Sequence, residues 1–244
     1  MFRRVFRLAL LASAFAVGGV VGCGLIGQPV EGSGKAATET REVGEVTDVT
    51  LSGIGDLVVV PGEKTKLVVT ADDNILPLLE STAKDGKLTL GVKSGFSPNP
   101  KTPITYTLFV KRLDKLTVSG SGNASGEELA GDKLELKISG AGNVTMKGLE
   151  FKEVTATVSG AGNVTLAGTA QTLTARVSGA GDVEAKELKV GTADIHISGA
   201  GDANVWATGT LKASVSGAGD VRYKGSPSVE QKVSGAGSVK PIDK

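Results

Sequence analysis

Three carboxylates stand at one recurring place in this chain: Asp182, Asp202 and Asp220 each close a Ser-Gly-Ala-Gly-Asp string. Earlier copies of the string carry Asn123, Asn143 and Asn163 there, and the last carries Ser238. Carboxylates that recur at a fixed period can line up, and hard cations such as calcium take carboxylate oxygens. Without a cation, acids aligned about 4.8 Å apart repel by roughly 0.9 kcal/mol per neighbouring pair in water. Aligned Asn side chains can instead hydrogen-bond along the line. The balance favours turn acids that cap backbone N–H groups, with nearby lysines relieving the charge. Asp182, Asp202 and Asp220 are therefore candidate metal ligands for weak calcium binding at most, and no other cofactor is expected. The calcium β-roll needs glycine loops on both sides of each coil, whereas each unit here has one.

The remaining chemistry is sparse. His196 is the only histidine and falls on the outward face of Asp194-Ile-His-Ile. There is no Gly-x-Ser-x-Gly elbow, no Cys/His cluster suited to zinc, and neither a P-loop nor a Gly-x-Gly-x-x-Gly string. A glycine string that occurs seven times in succession reads as a structural corner rather than as seven phosphate sites. Trp206 is expected to point outward and to lie over Lys or Arg stems, with stacking on a sugar ring as the alternative. No residue is assigned a catalytic role.

Cys23 is the one cysteine, which leaves no intrachain disulfide. It follows Arg3, Arg4 and Arg7 and an apolar run over residues 8–21. That run is shorter than the roughly 20 residues of a membrane-spanning helix. The tetrapeptide Val20-Val21-Gly22-Cys23 resembles the bacterial lipobox, in which a peptidase cuts before a cysteine that carries lipid such as palmitate. Residues 1–22 read as a lipoprotein signal peptide, Cys23 as the lipidation site, and 23–42 as the lipidated cysteine and a flexible tether. Losing residues 1–22 takes the net charge from +1 to about −2, and no basic stripe marks a nucleic-acid partner.

The elements that must hold these residues follow from the repeat. Its copies start at Ser119, Ser139, Ser159, Ser178, Ser198, Ser216 and Ser234, spaced by 18–20 residues, with a looser Ser-Gly-Ile-Gly-Asp at Ser52. Apolar and polar residues alternate on both sides of each copy: Leu173, Ala175 and Val177 before one corner, Val183 and Ala185 after it. Period two means half-buried strands. Antiparallel hairpins would need a second strong turn in every unit, and none recurs. The expected fold is all-β: a right-handed parallel β-helix, or solenoid, of about seven coils of 18–20 residues, with a less regular N-terminal β segment. Right-handedness follows from the crossover rule. Gly140, Gly142, Gly160, Gly162, Gly179, Gly181, Gly199, Gly201, Gly217 and Gly219 form the structural corner, needed either for φ values closed to other residues or for close backbone approach. Residues 43–118 make the irregular part, with hairpin turns at Pro61-Gly62 and Asp85-Gly86, and 119–240 the repeat helix. Gln231, where earlier copies carry Ala, marks a C-terminal cap.

The SGSGN/SGAGD series, the segment Thr70-Ala-Asp-Asp-Asn-Ile-Leu-Pro77, the string Asp85-Gly-Lys-Leu-Thr-Leu90 and the run from Leu113 to Gly122 together resemble the head GIN domain family of auto-transporter adhesins. The resemblance covers roughly residues 43–240. It implies a β-helical fold and a cell-envelope location, and brings no catalytic residues.

The expectation is thus a non-catalytic, lipid-anchored protein of the bacterial cell envelope, sorted to the outer membrane because Gly24 carries no acidic retention signal. It would act as an adhesin-like or scaffold module presenting a rigid β-surface to an envelope or extracellular ligand. The rivals are a polysaccharide-active β-helix enzyme, which rests on fold analogy alone, and a weak calcium-binding repeat protein.

Overall fold

Alternation commits every second residue of the repeat to the interior, and the strands stack so as to bury it. The structure is a computed structural model that describes residues 27–242. Cys23 and the proposed signal peptide lie outside the described residues. The fold is all-β, with one 3-10 turn at Leu76–Leu78, and forms a solenoid of about six turns where the motif count gave about seven. From one glycine corner to the next the chain runs as a single long strand: Val144–Val158, Val164–Val177, Val183–Ile197 and Ala203–Val215. Each pairs in parallel with the coil before it.

Leu173, Ala175, Val177, Val183 and Ala185 are all buried, as are their counterparts in neighbouring coils. Each fully buried Val, Leu or Ile contributes roughly 1.5–3 kcal/mol. The register breaks only away from the glycine corners: at Met146/Leu149, Thr165/Ala167, Ala185/Lys189 and Val190/Thr192. Differences in coil length are absorbed there, so the corners stay aligned.

The N-terminal end has a different order in space from its order in sequence. Asp48–Leu51 and Asp56–Pro61 form a true coil around the Ser52 motif copy. On one side it pairs with Lys115–Val118 and Ala124–Glu127. On the other it pairs, again in parallel, with Lys87–Val92 and Thr105–Val110. Antiparallel strands then close this end: Leu79–Lys84 on Lys87–Val92, and Lys66–Asp72 on Thr105–Val110.

Of the two hairpin turns expected from the sequence, one forms and one does not. Asp85 and Gly86 do make a two-residue hairpin turn, both with positive φ (51° and 75°), as the type I′ geometry requires. Pro61-Gly62 does not: Thr105–Val110 is inserted between the strands flanking that turn, because its Tyr106, Leu108 and Val110 supply the buried side of that layer.

Part of the segment read as a flexible tether, residues 23–42, is paired as strands. Gln28–Glu31 pairs in parallel with Phe96–Asn99, and Ala36–Arg41 pairs antiparallel with Lys66–Asp72. These segments lack hydrophobic periodicity; Gln28–Glu31 is held by Phe96–Asn99, and Ala36–Arg41 by the edge of Lys66–Asp72 and by Arg41. The Arg41 guanidinium donates to the Leu79 and Leu76 carbonyls at 2.8 and 3.1 Å and to Ser81 Oγ at 2.9 Å.

Candidate functional site

The glycine corner is the most regular surface feature, and its chemistry starts from backbone groups. None of the ten corner glycines has a positive φ. The reason for glycine is close approach. A Cβ on Gly142 would overlap the Gly122 carbonyl oxygen, and one on Gly181 would overlap that of Gly162; the same holds at Gly140, Gly160, Gly162, Gly179, Gly199, Gly201, Gly217 and Gly219. Of the two reasons open at the sequence level, only stacking distance applies.

Tight stacking leaves the N–H of the fifth motif residue without a backbone acceptor, and the fifth residue of the preceding copy supplies one. Asn143 N–H donates to Asn123 Oδ1 (3.0 Å), and Asp182 N–H donates to Asn163 Oδ1 (2.8 Å). The Asp202, Asp220 and Ser238 N–H groups donate in turn to Asp182, Asp202 and Asp220 Oδ1 at 2.7–2.8 Å. The Asn side chains add a second bond, from Asn143 Nδ2 to Asn123 Oδ1 (3.1 Å) and from Asn163 Nδ2 to Asn143 Oδ1 (3.2 Å). Asn and Asp are interchangeable here because both offer an oxygen at the same reach.

The column also contains a member that the sequence reading left out. Asp56, in the looser copy, accepts from Asn123 N–H (3.3 Å) and Nδ2 (3.0 Å). Its signal was the Ser-Gly-Ile-Gly-Asp string itself.

The carboxylate oxygens of the column are held by protein donors. Asp182, Asp202 and Asp220 stack as expected, but each Oδ1 is committed to a backbone N–H. Arg222 occupies the outer oxygens, with its terminal nitrogens 3.0 Å from Asp202 Oδ2 and 3.0 Å from Asp220 Oδ2. The relief expected from lysines thus comes from an arginine. Among the described residues no group of three His, Cys, Asp or Glu side chains is placed to hold a metal ion. The Ser238 hydroxyl holds the Asp220 carboxyl below its ordinary value, helped by the Ser238 N–H, Arg222 and Lys240 against the opposing effect of desolvation.

Elsewhere the outward residues pair locally. His196 Nε2 lies 3.1 Å from Asp194 Oδ1, with both side chains substantially exposed. Trp206 is half-buried beneath the ammonium groups of Lys224 (4.0 Å from the ring centre) and Lys189 (5.8 Å), its neighbours in the adjacent coils. The indole face is covered by protein, as the Lys-stem expectation held. A groove of 430 Å³ beside Asp56–Pro61 is lined by Val58, Ser125, Gly126, Glu127 and Lys147.

Asp72 was not singled out from sequence, although it lies in the 70–77 segment. It is fully buried. It accepts from the N–H groups of Gly34 (2.7 Å), Lys101 (2.8 Å) and Thr102 (3.1 Å) and from the Thr102 hydroxyl (2.9 Å). Desolvation pushes its pKa up, but these donors together outweigh it and hold the carboxyl below its usual value. Asp72 is the knot that ties the N-terminal strands to the 99–102 loop.

Comparison with known proteins agrees with this architecture. The family model described as "Putative auto-transporter adhesin, head GIN domain" matches residues 45–227, and the chain belongs to that family. Among solved structures it is similar to a "putative adhesin" from Bacteroides fragilis, at 28% identity and a TM-score of 0.82, covering 87% of this chain and 100% of that one. A "putative adhesin" from Parabacteroides distasonis is 25% identical with a TM-score of 0.69, covering 88% and 100%. A "putative lipid binding protein" from the same organism, at 21% identity, TM-score 0.76 and coverage of 88% and 100%, shares the fold. A search of curated proteins found no match.

Proposed function

We propose that this chain is a non-catalytic cell-envelope lipoprotein that acts as an adhesin, held in the outer membrane by lipid on Cys23 and presenting the solenoid as a rigid binding surface. The observation that carries this reading is the corner column. It is a continuous ladder of backbone and side-chain bonds that stiffens one edge of the molecule and exposes flat parallel faces. Family membership supports the adhesive role. The acids and bases described above pair with one another or with backbone, and none faces a second catalytic group across a deep cleft.

Two measurements test it. In intact cells, added protease should degrade the domain, and Cys23→Ser should release the protein from membranes or stall its processing, since stable anchoring needs two or more acyl chains. Beads coated with the purified chain should adhere to immobilised mucin or to envelope polysaccharide. Full protease resistance on intact cells, or membrane retention with normal processing in Cys23→Ser, would refute the location. Cleavage of a polysaccharide that one carboxylate substitution abolishes would replace the adhesin by an enzyme.

A further inference from the structure

The two ends of the solenoid are finished differently. The N-terminal end is closed by antiparallel strands, whereas the last coil, Ser228–Val233 and Val239–Pro241, pairs among the described residues only with the coil before it. Unpaired strand edges template further pairing. Of the three large hydrophobic side chains exposed among the described residues, Val233 (42%) and Ile242 (37%) sit at this end.

The half-coil over 239–241 is blunted. Ile242 N–H reaches back to the Tyr223 carbonyl (2.8 Å), so by alternation the backbone of Pro241 faces the free edge, where proline has no N–H to offer. The other half-coil is open. Ser234 N–H reaches back to Val215 (2.9 Å), which turns the N–H and C=O of Val233, Gln231 and Val229 outward along the axis.

The sequence of this open strand is its own complement. Residues 228–234 read Ser-Val-Glu-Gln-Lys-Val-Ser, symmetric about Gln231 with Glu230 and Lys232 as opposite charges. We propose that two copies of this chain pair end to end through this strand, antiparallel about a two-fold axis at Gln231. Every antiparallel requirement is met together. Gln231 faces Gln231 of the second copy, and Val229 faces Val233, in hydrogen-bonded pairs made by the outward backbone groups. Glu230 lies opposite Lys232 twice over. Val229, Gln231 and Val233 stack on Leu211, Ala213 and Val215, so the pairing extends the buried layer across the junction. An isologous contact of this kind closes at two copies. The occupant is a second copy because the charges fit their own reverse, and Gln231, rather than a cap, is the residue on the axis.

The test uses the full chain in membranes. Gln231→Cys puts two thiols across the axis at a Cα separation of about 5.5 Å, within disulfide reach; the parent, oxidised alongside, accounts for Cys23. Mild oxidation should give a disulfide-linked homodimer on a non-reducing gel. Adding Glu230→Lys or Lys232→Glu sets like charges opposite twice and should lower the yield about tenfold, whereas the double charge swap restores it. Both side chains are exposed, so the melting temperatures of the charge variants should stay within about 2 °C of the parent. No homodimer, equal yields in all variants, failure of the double swap to rescue, or a cross-link to a different protein would each overturn the proposal.

Discussion

Gly142 is stacked so closely on Gly122 that its α-hydrogen occupies the space a Cβ would need beside the Gly122 carbonyl oxygen. The same relation recurs up the corner, which makes this edge the least forgiving part of the molecule. Gly179→Val and Gly199→Val should each destabilise by several kcal/mol or prevent folding, because the neighbour is backbone and cannot yield. Ala180→Val, in the same loop but exposed, should cost less than about 1 kcal/mol. Equal melting losses for the three would mean that the glycines answer to something other than stacking.

The two faces of each strand should respond in opposite ways. Val177→Asp or Ile195→Lys buries an unpaired charge at a position 1% or 0% exposed and should cost more than about 4 kcal/mol. Thr174→Lys, on the outward face, should stay within about 0.5 kcal/mol. Urea melts of the three variants provide the comparison.

Asp72 sets an acid limit on the N-terminal region. Its folded pKa is depressed, so the stability it contributes is present above the unfolded carboxylate value. It is lost as pH falls through that value and on toward the lower folded one. Parent protein should therefore lose protection of the 32–34 and 99–102 backbone amides in that acid window. Asp72→Asn should show the loss already at neutral pH, since an amide nitrogen would face the Lys101 and Thr102 donors. Hydrogen exchange across the two segments measures this directly, and a variant with unchanged protection would contradict the role given to the carboxylate.

The Asp column should depend on oxygen acceptors rather than on charge or cation. The triple change Asp182→Asn, Asp202→Asn, Asp220→Asn keeps every Oδ1 acceptor and should melt within about 2 °C of the parent. Asp202→Ala strands the Asp220 N–H and removes one of the two carboxylates that hold Arg222, costing about 1 kcal/mol. Millimolar calcium should leave both parent and triple variant nearly unshifted. A large calcium-dependent rise in the parent that vanishes in the triple variant would restore the carboxylates as a cation site.

The solenoid was legible because its signal is repeated: the motif, its spacing and the alternation around Val177 or Ile195 each recur, so one local rule predicts many positions. The column was legible as a column, and its acids as caps of backbone N–H groups. The sequence does not reveal that the capped N–H belongs to the same motif position of the next coil, since that depends on which N–H the corner orphans. Arg222 was overlooked because its partners lie in two different coils. The N-terminal part resisted for a physical reason. Ala36–Arg41 has no apolar face and is recruited by an edge elsewhere, and the insertion of Thr105–Val110 beside Asp56–Pro61 is a long-range choice that no local turn residue records. Asp72 carries no periodic signature, because a buried hub is defined by the loops that converge on it.

The register breaks at Met146/Leu149, Thr165/Ala167, Ala185/Lys189 and Val190/Thr192 all fall away from the glycine corner. One edge of the molecule thus serves as a fixed ruler and the other as an expansion joint. Evolution, or an engineer, could splice extra residues into that joint coil by coil without disturbing the ruler. Inserts placed there would emerge as a row at a regular pitch, so diversity on this scaffold has a ready-made place to accumulate.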